Sequence, residues 1–151
     1  MESGYLPDNL KYYTNWTFYI WGVWLTCIVY SQIIYSRNRT GTEVATNSSS
    51  LFNLWKVCSA LFAVSLVHSI TVTLLYFGLL YPTLDPNRLD MTDYMKHSIP
   101  TCQLCIEFLT NSIVIEQRYY LPVIIFGLNY LFLLIGYTTT GDRSIYSIMK
   151  L

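Results

Sequence analysis

A hydroxyl at Thr14 and an imidazole at His97 are of the types that serve as nucleophile and general base in acyl transfer. Each also has an ordinary role: Thr14 can cap the helix that follows it, and His97 can face water at a helix end. His68 lies among Ser65, Ser69, Thr71 and Thr73 in an otherwise apolar run. A neutral imidazole bonded to a neighbouring helix accounts for it. The stretch HSIPTCQLCIEFLTNSIVI from His97 is the most polar of the long apolar segments. In it Gln103, Glu107 and either Thr110 or Asn111 recur at three- and four-residue spacing, which puts them on one stripe of a helix. A carboxyl in such a stripe is protonated, paired or wetted. It either bonds another helix, or orients a catalytic partner and lines a polar cavity. Cys27, Cys58, Cys102 and Cys105 all fall in apolar runs, unlike a disulfide framework. Cys102 and Cys105 form a CxxC, but no His or Cys completes a metal set, so packing is their expected role and no metal or cofactor is predicted.

Four apolar runs must position these residues, at 16–35, 57–81, 98–115 and 121–138. A bilayer core of about 30 Å takes roughly 20 helical residues to cross, so the runs predict an all-α membrane protein. Its four transmembrane helices form one bundle that fills the chain as a single domain, with both termini on the same side. Pro100 is expected in the first turn of the third helix, where its missing N–H costs little. Charged residues are only 12% of the 151 and aromatics 17%, and a soluble domain carries about 25% charge. Tyr12, Tyr13, Trp16, Trp55, Tyr81, Tyr94, Tyr119 and Tyr120 cluster at the ends of the runs, as an interfacial aromatic belt does.

Connectivity brings the two candidate groups together. The first and third runs cross in the same direction, so their N-terminal ends share a side. Thr14 precedes the first run by two residues and His97 precedes the third by one, which sets them at similar depth, with Lys11, Tyr12, Tyr13, Asn15 and Thr17 in the same neighbourhood.

The formal net charge of zero leaves no basic stripe to neutralise phosphates, which argues against a nucleic-acid partner. The polar start through Asn15 lacks the apolar core of a cleaved signal, so the first run reads as a retained anchor, and a mitochondrial presequence is not visible. Orientation stays open. Lys11, Arg88, Lys96, Arg143 and Lys150 on one side balance Arg37, Arg39, Lys56 and Arg118 on the other. The 37–50 loop holds two glycosylation sequons, beginning at Asn38 and Asn47, beside its own arginines.

KYYTNWTF opening the first run, YFGLLYP closing the second, HSIPTCQLCIE opening the third, and a closing GY followed by IYSIMKL resemble the androgen-induced and Rolling stone-like multipass membrane proteins. The pieces occur in the family's order and cover most of the chain from Lys11 onward. The resemblance implies a threonine-type membrane hydrolase that cleaves fatty acid esters of hydroxy fatty acids. Thr14 matches the family's essential threonine, His97 its essential histidine, and Glu107 falls at the family's spacing after that histidine. His97 would take the proton of Thr14 as its oxygen attacks the ester. Asn15 and Tyr13 are nearby candidates for the oxyanion donor, and Gln103 is a supporting residue on the same stripe as Glu107. The implied partners are membrane lipids and a lipid ester, in an endomembrane or the plasma membrane. Acyl chains would enter from the bilayer, with Trp16, Phe18, Tyr19, Trp21 and Trp24 available to line a groove or simply to pack.

Typical members of that family have one further span before the threonine helix and another after the closing tyrosine motif. The sequence is expected to be a four-helix version. That departure carries a second expectation: a non-catalytic accessory subunit of a larger membrane assembly, such as a respiratory complex of the mitochondrial inner membrane, with outward helix faces covered by other subunits. A transporter is disfavoured, because no inverted repeat or interrupted helix pair is visible.

Overall fold

A computed structural model describes residues 12–39, 48–83, 91–111, 113 and 115–139. Lys11, the sequon residues Thr40 and Asn47, Arg88 and the closing IYSIMKL lie outside the described residues. Four α-helices follow in order: α1 (Tyr13–Arg39), α2 (Ser48–Leu75), α3 (Met91–Thr110) and α4 (Tyr120–Thr139). A π-turn (Tyr76–Leu80) and a 3-10 turn (Tyr81–Thr83) extend α2, and a 3-10 turn (Gln117–Tyr119) leads into α4. No strand occurs among the described residues.

Three segments are long and apolar enough to cross a membrane: Tyr13–Arg37, Phe52–Leu80 and Gln117–Gly136. Their composition permits it because hydroxyls inside them are absorbed by the helices themselves. Thr26 donates to the Gly22 carbonyl, Ser59 to Trp55 and Thr71 to Val67, each one turn back and within 2.8–3.0 Å. A hydroxyl satisfied this way can face hydrocarbon without an orphaned proton.

The third run differs from its sequence expectation. α3 covers 91–110 in place of 98–115 and is not one of the three segments apolar enough to span. It carries Asp93 and Lys96, whose charged ends lie 3.9 Å apart on the exposed first turns, and Glu107 near its end. Past Thr110 the chain bends, with the Ile113 N–H on the Asn111 carbonyl, and Glu116 is extended. Pro100 is in the helix interior, not its first turn. It removes the donor that the Lys96 carbonyl would receive four residues on.

α2 is the central helix and packs against α1, α3 and α4, while α3 and α4 form no comparable interface with one another among the described residues. Small residues make this possible: Ala63, Ser65 and Ser69 on α2 are buried and let neighbouring backbones approach. At the middle of the bundle Trp24, Phe62, Leu66 and Leu104 form the core, with the Trp24 and Phe62 rings 5.4 Å apart. Burial of each such large side chain contributes on the order of 2–3 kcal/mol where it leaves water.

Candidate functional site

The head of α1, the end of α2, the first half of α3 and the second half of α4 meet at one end of the bundle around a cavity of about 220 Å³. Val72, Leu75, Leu79, Leu80 and Leu134 give it apolar walls, and Tyr13, Thr14, Tyr76, His97 and Tyr130 bring its polar atoms. Thr14 and His97, placed together by connectivity, line the same cavity. No hydrogen bond joins them among the described residues. Their hydroxyl and imidazole face a shared space and do not form a closed pair.

Thr14 is not the helix cap that its type suggested. α1 begins at Tyr13, and the Tyr12 carbonyl receives the Asn15 N–H at 3.1 Å, so Thr14 lies within the first turn. Its own carbonyl accepts the buried Thr17 hydroxyl at 2.8 Å.

His97 is held by α2 at two points. Its ring stacks on Tyr76, with centroids 3.6 Å apart and planes 10° from parallel. Its carbonyl accepts the Thr73 hydroxyl at 2.5 Å, and Thr73 Oγ1 also lies 2.7 Å from Thr101 Oγ1. Since Thr73 has one proton and gives it to the carbonyl, the Thr101 hydroxyl donates to Thr73. This three-member bond sits in the turn that Pro100 weakens. The carbonyl that Pro100 itself leaves without its helical donor is that of Lys96, one residue before the one Thr73 reaches. Tyr76 opens the π-turn, a feature frequent at functional sites. The His97 Nδ1 is buried without a partner, and burial lowers its pKa from 6.5 to about 4, with Asp93 opposing the shift and Lys96 adding to it. The imidazole is therefore neutral at neutral pH, as a general base must be.

A second polar chain reaches the cavity. His68, buried in α2, bonds the Tyr13 hydroxyl through Nδ1 and the Val123 carbonyl of α4 through Nε2 at 2.9 Å. A carbonyl only accepts, so Nε2 carries a proton; in the neutral imidazole Nδ1 is then the acceptor, and Tyr13 donates to it. The imidazole packs on Phe126 with ring centroids 4.8 Å apart. A Cβ on Gly127 would come within 3.3 Å of His68 Cε1, tighter than most such contacts, so the ring or the helix would have to give by a few tenths of an ångström to admit one. Tyr13 stacks on Tyr130 at 4.5 Å, and Trp16 packs on Tyr130 and Phe126. His68 is thus a neutral imidazole bonded to a neighbouring helix, as its sequence setting suggested. Its tie to Tyr13 was not anticipated. The only sequence signals were a histidine in an apolar run and a phenol heading the preceding helix.

The remaining candidates lie off the cavity. Asn15 is half-buried and does not line it. Gln103 and Glu107 follow His97 by six and ten residues, which carries Glu107 about 15 Å along the α3 axis. Glu107 accepts the Asn111 side-chain amide on its own helix. Thr110 donates to the Ile106 carbonyl at 2.7 Å. The expected stripe exists, but Thr110 and Asn111 at its end are exposed. Cys105 packs against the Trp24 core and Cys102 is exposed, both as free thiols. No cluster of three metal-ligating side chains occurs among the described residues.

The fold and cavity define an all-helical protein with three helices able to cross a membrane. No protein-family model, curated protein or solved structure matches the chain.

Proposed function

We propose that this chain is an integral membrane hydrolase of lipid esters, with Thr14 as nucleophile and His97 as general base, as its resemblance to the androgen-induced family implies. The observation that carries the reading is that Thr14 and His97 line one cavity whose other walls are mostly leucine and valine. An apolar-walled space with a few polar atoms suits an acyl chain carrying an ester. The Thr14 oxygen attacks the ester carbonyl, and its proton passes to His97 Nδ1 or Nε2 and then to the departing alkoxide. The acyl group is left on Thr14 until water removes it. The space between the two side chains is consistent with a bond that forms when substrate is present, since catalytic hydrogen bonds are often long or open without it. The substrate would be a fatty acid ester of a hydroxy fatty acid, taken from an endomembrane or the plasma membrane.

The test is release of fatty acid from such an ester by the purified protein in detergent. Thr14→Ala and His97→Ala should each abolish release while leaving the protein folded. Turnover that survives both substitutions overturns the assignment.

One observation favours the second reading, an accessory subunit of a membrane assembly. The C-terminal end of α3 exposes Thr110 and Asn111, and α3 is not one of the segments long and apolar enough to cross a membrane. On that reading another subunit covers α3, and gentle extraction recovers the chain in a larger complex with no esterase activity.

A further inference from the structure

The site read above needs two proton acceptors at different moments: one for the threonine that attacks the ester, and one for the water that frees the acylated threonine. We propose that His97 serves the first step and that Tyr13, backed by His68, serves the second, as the general base for the deacylating water. This rests on the threonine-hydrolase reading of the cavity.

Tyr13 lines the cavity immediately before Thr14 in the chain. Its one phenolic proton is committed to His68 Nδ1. Toward a water in the cavity the phenol oxygen can therefore only accept. His68 is fixed in the tautomer that this requires, because its Nε2–H donates to the Val123 carbonyl at 2.9 Å. Hydroxyl, imidazole and orienting acceptor thus form the arrangement that activates oxygen groups in hydrolases. The ring is held in place by Phe126 and by close approach to Gly127, so the relay is preorganised before substrate arrives.

The proton inventory closes. A water held by the Tyr13 oxygen attacks the acyl carbon on Thr14. As it does, its proton moves to Tyr13 and the Tyr13 proton moves to His68 Nδ1. The resulting imidazolium has both N–H groups bonded, to Tyr13 and to the Val123 carbonyl. When the tetrahedral intermediate collapses, the C–O bond to Thr14 breaks, and the proton returns through Tyr13 to the Thr14 oxygen. The fatty acid leaves, and no oxidant, metal or further reactant is consumed.

The experiment is single-turnover acylation with a p-nitrophenyl fatty acyl ester, reading nitrophenol release and, by intact mass, acyl group retained on the protein. Tyr13→Phe keeps the ring that packs on Tyr130 and removes only the hydroxyl. It should release nitrophenol in a burst at the wild-type rate and then stall, with the acyl mass retained and mapped to Thr14. Turnover should fall at least tenfold, and hydroxylamine should restore it by cleaving the trapped ester. His68→Gln should trap the same species. The normal burst itself reports that the variant is folded. Tyr13→Phe that turns over at the wild-type rate, or that loses the burst without trapping acyl group, overturns the proposal and leaves the hydrolase reading standing. Wild-type protein that never acylates overturns both, and the missing wild-type burst distinguishes that case.

Discussion

Thr73 on α2 and His97 on α3 are joined by a hydroxyl-to-carbonyl hydrogen bond of 2.5 Å across the helix interface. The bond reaches the backbone of the candidate base within the turn that Pro100 interrupts. It fixes where the imidazole sits without touching the imidazole itself. Replacing Thr73 by valine keeps the shape and removes the donor, leaving the His97 carbonyl and the Thr101 hydroxyl short of a partner. The expected cost is about 1–3 kcal/mol in unfolding free energy, with a loss of ester turnover that Thr73→Ser restores. Denaturation in detergent and ester hydrolysis on the same samples check it.

Pro100→Ala tests the other half of that joint. Alanine returns an N–H to the Lys96 carbonyl, and an interior proline costs up to about 3 kcal/mol against alanine in an exposed helix. The variant should gain protected amide exchange around residues 96–101. Its activity should drop roughly 10- to 100-fold, because small displacements of a catalytic group carry penalties of that size. A straightened helix with full activity would show that the kink does not aim His97.

Glycine replacements separate helix propensity from crowding. A Cβ on Gly22 meets nothing within 4 Å, whereas one on Gly127 meets His68 Cε1 at 3.3 Å. Gly22→Ala should therefore stabilise by up to about 1 kcal/mol. Gly127→Ala should give back that gain by pushing the imidazole off the Val123 carbonyl. Comparing the two unfolding midpoints reads the difference directly.

Acid should act through His97. Its folded pKa of about 4 lies below the ordinary 6.5, so between these values the unfolded chain binds a proton that the folded chain refuses. Stability from this residue is complete above pH 6.5 and is lost as pH falls toward 4. A His97→Gln variant should show a flatter profile across that window in denaturation midpoints. In the wild type the acid limb of ester turnover should fall nearer pH 4 than 6.5.

The sequence reading succeeded where single residues or long averages carry the information. Three apolar runs became helices of the expected place and type, since hydrocarbon-length apolar stretches leave a backbone few other options. Thr14 and His97 do line one cavity, but the parity of crossings that put them together assumed a third run that spans, and α3 is not one of the three segments apolar enough to do so. The start of α3 was misjudged because Pro100 reads as a helix-opening residue, whereas the helix begins at Met91 and carries the proline in its interior. Its end was misjudged because Ile113 and Ile115 look helical by hydropathy, yet the chain turns at Asn111. The tie between Tyr13 and His68 spans 55 residues and depends on how α1 is rotated against α2, which apolar periodicity around two nearly uniform helices does not encode. The supporting roles given to Gln103 and Glu107 placed them beside His97 in sequence, but the rise of the helix separates Glu107 from the cavity.

α3 and α4 form no comparable interface with one another among the described residues, which leaves a seam at the cavity with His97 on one bank and Tyr130 and Leu134 on the other; on the proposed lipid-ester reading that seam opens to the bilayer. A molecule reaching it through that seam arrives by two-dimensional diffusion. Occupancy then follows the mole fraction of the ligand in the leaflet and not its molar concentration in water. Apparent affinities measured in micelles would scale with the amount of detergent, and dilution with inert lipid at constant ligand would act as a competitor does.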